Sequence, residues 1–583
     1  MLATEYPDGI WLVDFEFRSL DGLEGNLPEV VCMVAHQWPE GPRFGIWKDE
    51  LDKMAAAPFP TGDGALFVAF YASAEMDCFQ QLGWRMPSHL LDLFTEFRWL
   101  TNGLSPAHGN GLLGALLYFG LPSIQAEQKT AMRDLVLSGG PWDDADQEAI
   151  IDYCETDVVS LGHLLGAMGS LLDIPRALLR GRYMQAVSSI QRYGIPIDVR
   201  TMSLLKLRWE NIQDQLITQM DKDYGVYEGR TFKSQRWHEF LIRNDIPWPT
   251  LENGRLDMAD DTFREMARSH PLVAPMRELR SSLSEMRLSS LQVGNDGRNR
   301  CLLSPFSART GRNQPSNARF IFGPSVWLRG LIQPKRGWGL AYVDWCQQEF
   351  GIAAALSGDL RMMVAYRSGD PYLEFAIQAG AVPAHATKAT HGIEREQFKA
   401  CVLAVQYGMG EESLAARINQ PVSRARQLLV LHRQIYRTFW QWSDRAVDEA
   451  ILGGRLWATF GWQIFTSNQP NDRSLRNFPM QANGAEMLRI ASIQLIEAGI
   501  RVCAPVHDAL LIEAPLEDLN SAIATTQALM GEASRIVLDG FELGSDAKVI
   551  RYPDRYMDKR GTKMWNLVMG LIGEQGYLQP PSA

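Results

Sequence analysis

The sequence predicts a multidomain protein in which an α/β domain is followed by a larger α+β region. Up to about residue 175, strand-like runs such as IWLVDFEF and ALFVAFY alternate with helical runs, which is typical of an α/β domain. The chain then reads as mainly helical to about residue 300, and from Cys301 onward short strands flank a long helical block between about 360 and 450. With 583 residues, the chain is also too long for one domain of roughly 100–200 residues.

The composition is that of an ordered globular protein, with 46% hydrophobic and 21% charged residues. No run approaches the ~20 apolar residues that span a membrane, and the start does not resemble a signal segment, so we expect a cytoplasmic protein without a membrane contact. The seven cysteines form no Cys-x-x-Cys pair and are expected to be reduced. The net charge of −11 argues only weakly against nucleic-acid binding, because carboxylates that hold metal ions can make a protein acidic beside a basic groove.

Acidic residues occur at three separate places in the first 175 residues. Asp14 and Glu16 are two apart on a predicted strand and therefore share one face, while Tyr153 and Asp157 are four apart on a predicted helix and also share a face. Asp77 follows the strand-like run ALFVAFY. Each piece alone fits an ordinary solvated edge, but together the three segments could converge on two divalent cations about 4 Å apart.

The order of these residues resembles that of the DEDDy 3′–5′ exonucleases, in which Asp-x-Glu, a middle Asp and a final Tyr-x-x-x-Asp follow one another. The resemblance implies that Asp14, Glu16, Asp77 and Asp157 bind two metal ions and that Tyr153 orients the attacking water. One departure is Ser73, which stands four residues before the middle acid where the family usually has Asn.

A second acidic site is predicted in the C-terminal half. Asp344 ends the apolar strand GLAYVDW, and His507 and Asp508 lie at a turn between two apolar runs in APVHDALLIE. Two carboxylates on adjacent strands suit the attack of a 3′-hydroxyl on an α-phosphate, which metal ions assist. The alternative is that the His-Asp pair merely forms a turn.

The helical segment REQFKACVLAVQYGMG lies between these two acids in the sequence. Arg395, Lys399, Leu403 and Tyr407 recur every four residues and form a stripe along one helix face. The two cations suit a triphosphate and the aromatic ring suits a base, although an ordinary amphipathic helix would show the same stripe.

Taken together, these segments resemble motifs A, B and C of the family A DNA polymerases. The helical stripe resembles motif B, Asp344 with Gln347 and Glu349 resembles motif A, and His507 with Asp508 resembles motif C. The resemblance implies that the two aspartates hold the catalytic metal ions, that Gln347 and the stripe contact the incoming nucleotide, and that Glu349 excludes a 2′-hydroxyl.

Further residues resemble the DNA contacts of the same family. Arg312 in RTGR is expected to contact the primer-terminal base pair, and His507 is expected to contact DNA as well. In DRSLRNFPMQ, a series spaced by four is expected to contact the minor groove, where side chains can sense pair geometry without reading sequence: Arg473, Asn477 and Gln481.

The resemblance covers nearly the whole chain and implies its organisation. We expect an RNase H-like 3′–5′ exonuclease domain at 1–178 and a right-hand polymerase at 179–583, with a thumb at about 200–300, a palm at about 301–360 and 445–583, and fingers at about 361–444. A 5′-nuclease domain is expected to be absent. The segment YPDRYMDKRGTKMW resembles phage members, which favours a phage origin.

The implied activity is DNA-directed DNA synthesis with proofreading, replicating DNA that is expected to be that of a phage. Two Mg²⁺ ions are expected in each active site, with Mn²⁺ able to substitute, and the expected partners are primer–template DNA and dNTPs. A processivity factor or other replisome proteins are left open. The alternatives are a 3′–5′ exonuclease with a C-terminal nucleic-acid-binding region, or a non-catalytic DNA-binding scaffold.

The sequence also departs from the family pattern at three places near the polymerase motifs. Leu403 stands where the family generally has an aromatic residue, Ala509 replaces the Glu that usually follows the His-Asp pair, and Cys346 replaces a Ser. An unusual nucleotide pocket would suit a genome with altered bases such as 2-aminoadenine, which is a hypothesis that competition between dATP and its 2-amino analogue would test.

Overall fold

The computed structural model describes residues 2–23, 25–122, 126–285, 288, 290–323, 325–406, 408–466 and 471–573. The N-terminal part contains a five-stranded sheet flanked by helices. Its strands are β1 (Gly9–Ser19), β2 (Pro28–Trp38), β3 (Arg43–Trp47), β4 (Ala65–Ala69) and β5 (Leu90–Asp92). Its helices are α1 (Leu2–Glu5), α2 (Lys48–Leu51), α3 (Ser73–Leu82), α4 (Leu93–Thr101), α5 (Leu112–Tyr118), α6 (Ala126–Ser138) and α7 (Asp144–Met168).

The strand order in this sheet is β3-β2-β1-β4-β5. Strands β1, β2 and β3 are antiparallel, whereas β4 and β5 run parallel to β1. Apolar side chains alternate along β1, so that Leu12 packs with the α7 side and Val13 packs with the α3 side. The predicted α/β organisation is therefore confirmed.

The segment HLLDLFTEFRWL differs from the sequence prediction, because it is not helical throughout. Its first part forms β5, which pairs with β4, and the helix begins only at Leu93. The physical reason is a helix cap: the Asp92 carboxylate accepts a hydrogen bond from the backbone N–H of Phe94 at 3.2 Å.

A mainly helical region follows, as the sequence predicted. It comprises α8 (Ile174–Tyr193), β6 (Ile195–Pro196), α9 (Val199–Met220), β7 (Tyr227–Glu228), β8 (Thr231–Phe232), α10 (Ser234–Arg243), α11 (Asp260–Ser269), α12 (Ala274–Glu285) and β9 (Arg298–Asn299). Helix α8 runs unbroken through residue 178 and packs against β5 and α3 of the N-terminal part. The expected boundary at 178 thus falls inside a helix, and the division into domains remains a prediction.

The C-terminal part is built on a second sheet. Its strands and the associated short hairpin are β10 (Trp338–Trp345), β11 (Arg455–Trp457), β12 (Gln463–Phe465), β13 (Arg501–Val506), β14 (Ala509–Pro515) and β15 (Ser545–Arg551). The helices are α13 (Gln348–Ser357), α14 (Leu360–Arg367), α15 (Pro371–Gln378), α16 (Gly392–Gln406), α17 (Glu411–Ile418), α18 (Val422–Ile435), α19 (Arg437–Gly453), α20 (Asp472–Glu497), α21 (Leu519–Val537) and α22 (Thr562–Gly573).

The four strands of this sheet are antiparallel in the order β13-β14-β10-β15. Helix α21 covers β10, and α8 packs against both β13 and α20. The predicted helical block between about 360 and 450 is confirmed as α14 to α19. Within the described parts of the chain, no helix is both long and apolar enough to span a membrane.

Candidate active sites

The first site lies where β1 meets α7. The alternation along β1 directs Asp14 and Glu16 to the same face, as predicted, and a bulge follows directly between Glu16 and Phe17. Helix α7 adds Asp157, and one carboxylate oxygen from each acid lies within 4.8 Å of the others. The structure therefore brings together three of the four predicted acids.

Two further side chains lie at this trio of acids. Tyr153, one helical turn before Asp157, is buried beside it, as the four-residue spacing predicted. Lys129 from α6 donates a hydrogen bond to Asp157 at 3.1 Å, and its ammonium lies 5.9 Å from the centroid of the Tyr153 ring. The sequence analysis does not single out this lysine, because it belongs to none of the motifs recognised there.

Asp77 lies near the trio without joining it among the described residues. It lines the same cavity of about 810 Å³ as Glu16 and Tyr153, but its carboxylate accepts a hydrogen bond from Arg192 at 3.1 Å. The side chain of Ser73, which replaces the family's Asn, is buried on the same helix. The metal-binding role of Asp77 remains a prediction.

Glu75 is a second acidic side chain in the same helix turn that sequence reasoning did not single out. It is buried, and its Oε2 has no hydrogen-bond partner among the described residues. Burial, and then the negative charge of Asp14, raise its pKa well above the usual value. No spacing rule singles out Glu75, because the helical period of α3 alone does not specify which of its acids faces β1.

The electrostatics of the first site oppose ionisation in the absence of a cation. Burial raises the pKa of Asp14 well above its usual value, with the charges of Asp157 and Glu16 adding to the effect. Burial and then Asp157 raise the pKa of Glu16 to about 7. Crowded carboxylates are stabilised by a divalent cation, and oxygen donors are the ligands that Mg²⁺ prefers, so these residues fit the predicted metal.

The second site lies at the ends of β10 and the β13–β14 hairpin. The backbone N–H of Trp345, next to Asp344, donates to the carbonyl oxygen of Asp508 at 3.4 Å. The hairpin turns at His507, whose φ of 59° places it in the left-handed region. The predicted pairing of an acid at a strand end with an acid at a hairpin tip is therefore present.

The two aspartates are close enough to influence each other. Burial raises the pKa of Asp344 to about 7, and the charge of Asp508 and a hydrogen bond with its side chain add to this. The Oδ1 atom of Asp344 is buried without a hydrogen-bond partner among the described residues. Two crowded carboxylates with an unsatisfied oxygen form a donor set that fits a divalent cation.

A cavity of about 400 Å³ opens beside this pair. It is lined by residues from five separate segments: Arg312, Gln347, Gln348, Glu349, Phe350, Tyr372, Leu403, Gln406, His507 and Asp508. The Arg312 guanidinium lies 3.8 Å from the Glu349 carboxylate and opposes the rise in pKa that burial causes there. The structure thus joins the segments that the sequence related to motifs A, B and C.

Helix α16 carries the predicted nucleotide-binding stripe, but the two cationic side chains of this stripe lie against neighbouring carboxylates. Arg395 donates to Asp370 at 2.5 Å and lies 5.4 Å from the centroid of the Tyr372 ring. Lys399 lies 3.8 Å from Glu396. Neither cation lines the cavity that Leu403 lines, and Tyr407, the fourth position of the stripe, lies outside the described residues.

The predicted minor-groove series lies on α20. Arg473 is exposed, while Asn477 and Gln481 are half-buried, and their spacing of four places them along one face of the helix. The Arg473 side chain lies against Gly408, the residue two positions after α16 ends. This contact brings the start of α20 next to the end of α16.

A further acid flanks the second site from a strand for which no role is predicted. Asp546 on β15 is directly opposite Asp344, and its charge contributes to the raised pKa of Asp344. On the other side of Asp344 the opposing residue is Ala509, where the family usually has an acid. Among the described residues, Asp546 does not complete a close trio with Asp344 and Asp508.

Comparison with known proteins assigns this architecture. Residues 254–544 match the model of DNA polymerase family A. The DNA polymerase of Mycobacterium phage D29 is 24% identical over 421 residues, covering 68% of this chain and 67% of the phage protein. The thermostable DNA polymerase I of Thermus caldophilus is 22% identical over 380 residues, covering 60% of this chain. The match covers 45% of that relative, so this chain spans about half of its length.

A solved structure has the same fold over nearly the whole chain. It is the POL domain of Pol1 from M. smegmatis in complex with a DNA primer-template and dNTP, with a TM-score of 0.70 and 18% sequence identity. The match covers 94% of this chain and 97% of that chain. The predicted fold class, a mixed α/β multidomain polymerase fold, is confirmed, while the assignment of the first site to an exonuclease remains a prediction.

Proposed function

Because this chain belongs to DNA polymerase family A, we propose that it is a template-directed DNA polymerase that extends a primer with dNTPs. The observation that carries the proposal is the pairing of Asp344 with Asp508, which lines a cavity together with Arg312, Glu349 and Leu403. A nucleotide-sized cavity beside two crowded carboxylates suits nucleotidyl transfer.

Each residue of the second site would have a separate role in this reaction. Asp344 and Asp508 would hold Mg²⁺, with Mn²⁺ able to substitute, and the bound ions would lower the pKa of the attacking 3′-hydroxyl and neutralise the departing pyrophosphate. Glu349, held 3.8 Å from Arg312, would lie against the sugar and exclude a 2′-hydroxyl. Arg312 itself would contact the primer terminus.

The fingers helix would bind the triphosphate through Arg395 and Lys399. In the structure Arg395 is paired with Asp370, so nucleotide binding requires the guanidinium to exchange this carboxylate for a phosphate. Leu403 would pack against the incoming nucleotide, and Tyr407 would stack near its base. His507 and the α20 series Arg473, Asn477 and Gln481 would contact the DNA.

The first site is proposed to remove mismatched 3′ ends by hydrolysis. Asp14, Glu16 and Asp157 would hold divalent metal ions, with Asp77 joining them once it is released from Arg192. Tyr153 lies beside Asp157 and would orient the attacking water. The support for this proposal is the convergence of three carboxylates within 4.8 Å, one of which, that of Glu16, lines a cavity large enough for a nucleotide.

The similarity to the mycobacteriophage D29 protein supports a phage-type replicative role in the cytoplasm of a bacterial host. Primer–template DNA and dNTPs would be the partners, and the domain limits would be 1–178 for proofreading and 179–583 for polymerisation.

The deciding experiment uses a 5′-labelled primer on a longer DNA template with Mg²⁺, with and without dNTPs. Extension with dNTPs and shortening without them are the expected results. Asp344→Ala should abolish extension and retain shortening, while Asp14→Ala should do the reverse, so that each variant is the control for the other. Normal extension by Asp344→Ala would contradict the assignment, and shortening in both lanes by the unaltered protein would favour a nuclease alone.

A further inference from the structure

The N-terminal part contacts the C-terminal half through several side chains at the end of α4, and one of them is a buried amide. Asn102 follows directly after α4 and is completely buried. Its side-chain nitrogen donates to the backbone carbonyl oxygens of Arg309 and Gln463, both at 2.6 Å. One amide group thus joins two segments of the C-terminal half that are far apart in the chain.

The first of these segments is the turn that carries Arg312. The turn closes on itself, with the N–H of Gly311 donating to the carbonyl of Ala308 at 2.8 Å and the N–H of Ala308 donating to the carbonyl of Arg312 at 3.3 Å. Gly311 has a φ of +73°, and a Cβ atom there would lie 3.0 Å from the Trp462 ring. The turn is therefore tightly fitted against its surroundings.

Donors from outside the turn fix its carbonyl groups. Besides Asn102, the indole nitrogen of Trp462 donates to Arg309 at 3.0 Å, and Arg489 of α20 donates to Gly311 at 2.8 Å. Both of the latter donors belong to the C-terminal half. Asn102 is the member of this set that comes from the N-terminal part.

The second segment, β12, also donates hydrogen bonds to the end of α4. The N–H of Phe465 donates to the carbonyl of Asn102 at 2.9 Å, and the Gln463 side chain donates to the carbonyl of Trp99 at 3.1 Å. A Cβ atom at Gly103 would lie 2.4 Å from the carbonyl oxygen of Phe465. A short side chain with two N–H donors on one nitrogen satisfies both carbonyls at this spacing.

We propose that Asn102 is a positioning residue for Arg312, so that a contact from the N-terminal part sets how firmly the second site holds a primer terminus. The inference rests on the proposed function, in which Arg312 touches the terminal base pair. When the amide is lost, the turn loosens, Arg312 spends less time in place, and the primer end partitions towards the first site. Matched primers would then be degraded more often.

The test compares Asn102→Ala with the unaltered protein on a matched primer–template. The KM for primer–template in extension and the ratio of shortening to extension should both rise, by a factor of about 5 to 30, the range that the loss of one or two net hydrogen bonds produces. Hydrolysis of single-stranded DNA should not change. Unchanged partitioning in a protein that still extends primers would overturn the inference and leave the proposed function standing.

Two controls separate positioning from a general structural effect. Trp99→Phe removes a 2.6 Å hydrogen bond to the carbonyl of Gly461, which lies at the same junction but outside the turn, and should change partitioning less than Asn102→Ala does. In an Arg312→Ala background, Asn102→Ala should add no further effect, because the two residues act through one contact. An equal effect of Trp99→Phe, or additive effects in the double variant, would overturn the proposal.

Asn102→Ser covers the case in which the alanine variant does not fold. The hydroxyl retains one donor, so an intermediate rise in the ratio is expected, and no rise would overturn the inference. Failure of the unaltered protein to extend any primer would instead contradict the proposed function itself.

Discussion

The ammonium of Lys129 lies 3.1 Å from the carboxylate of Asp157, at the centre of the first site. The same positive charge lowers the pKa values of Asp14 and Glu16, against the larger effect of burial. Lys129→Met should therefore raise both pKa values and move the binding of Mn²⁺ to higher pH, because a metal ion must displace the protons. The measurement is Mn²⁺ binding followed by electron paramagnetic resonance over a pH series.

The matched control for this change is Arg133→Met. Arg133 lies one turn further along α6 and lines the same cavity. Its removal should leave the pH dependence of Mn²⁺ binding nearly unaltered. An equal shift in the pH dependence of Mn²⁺ binding in both variants would mean that overall cavity charge, and not the contact with Asp157, controls metal binding.

Substitution of the acid at the second site should separate the two activities. Asp344→Asn keeps the shape of the side chain but removes the charge, and should lower the extension rate by about 100-fold or more, the scale of losing one electrostatic partner of a transition state. Hydrolysis of single-stranded DNA should remain normal. The two rates are measured on the same preparation, and a parallel fall in both would indicate misfolding instead of a local effect.

Stability without metal ions should depend on pH through Asp344. Its pKa in the folded protein is about 7, above the ordinary 3.8, so its contribution is greatest while it is protonated and is lost as pH rises through about 7. In EDTA, the melting temperature should therefore fall between mildly acid and mildly alkaline pH. Asp344→Asn should show a smaller fall, and Mg²⁺ should restore stability at alkaline pH. A melting temperature that rises over this interval would contradict the assignment.

A buried ion pair joins α4 to α8. Arg180 donates to Glu96 through two nitrogens at 2.6 and 2.7 Å, and both side chains are almost fully buried. Arg180→Met should lower the free energy of unfolding by about 3–5 kcal/mol, because the Glu96 carboxylate would remain buried without its partner. Urea denaturation measures the change. Combining it with Glu96→Leu should recover part of the loss, and a larger loss in the double variant would argue against this explanation.

The cavity of about 400 Å³ at the second site offers one change that should increase the affinity for dNTPs. Leu403 lines it where the family generally has an aromatic residue. Leu403→Phe should lower the KM for dNTPs by about fivefold, the lower end of what base–aromatic stacking contributes, with little change in kcat. Leu403→Met is the control of similar volume. Single-nucleotide insertion kinetics provide the measurement, and an unchanged KM would show that the ring does not reach the incoming nucleotide.

The local geometry of both sites follows from the order of residues alone. The two-residue spacing of Asp14 and Glu16 required a shared strand face, and the four-residue spacing of Tyr153 and Asp157 required a shared helix face. The strand ending at Asp344 and the hairpin at Asp508 were also predicted. These features follow from the period with which side chains alternate along a single strand or helix, and the order of residues specifies that period directly.

The partners of these residues, in contrast, depend on how distant elements pack together. Asp77 is held by Arg192, Arg395 is held by Asp370, and Asp546 lies opposite Asp344. Each of these contacts depends on strand register or on packing between elements that are distant in the chain. No local period specifies such a contact, because it is set by the burial of whole faces against one another, and the link from Asn102 to the turn of Arg312 has the same origin.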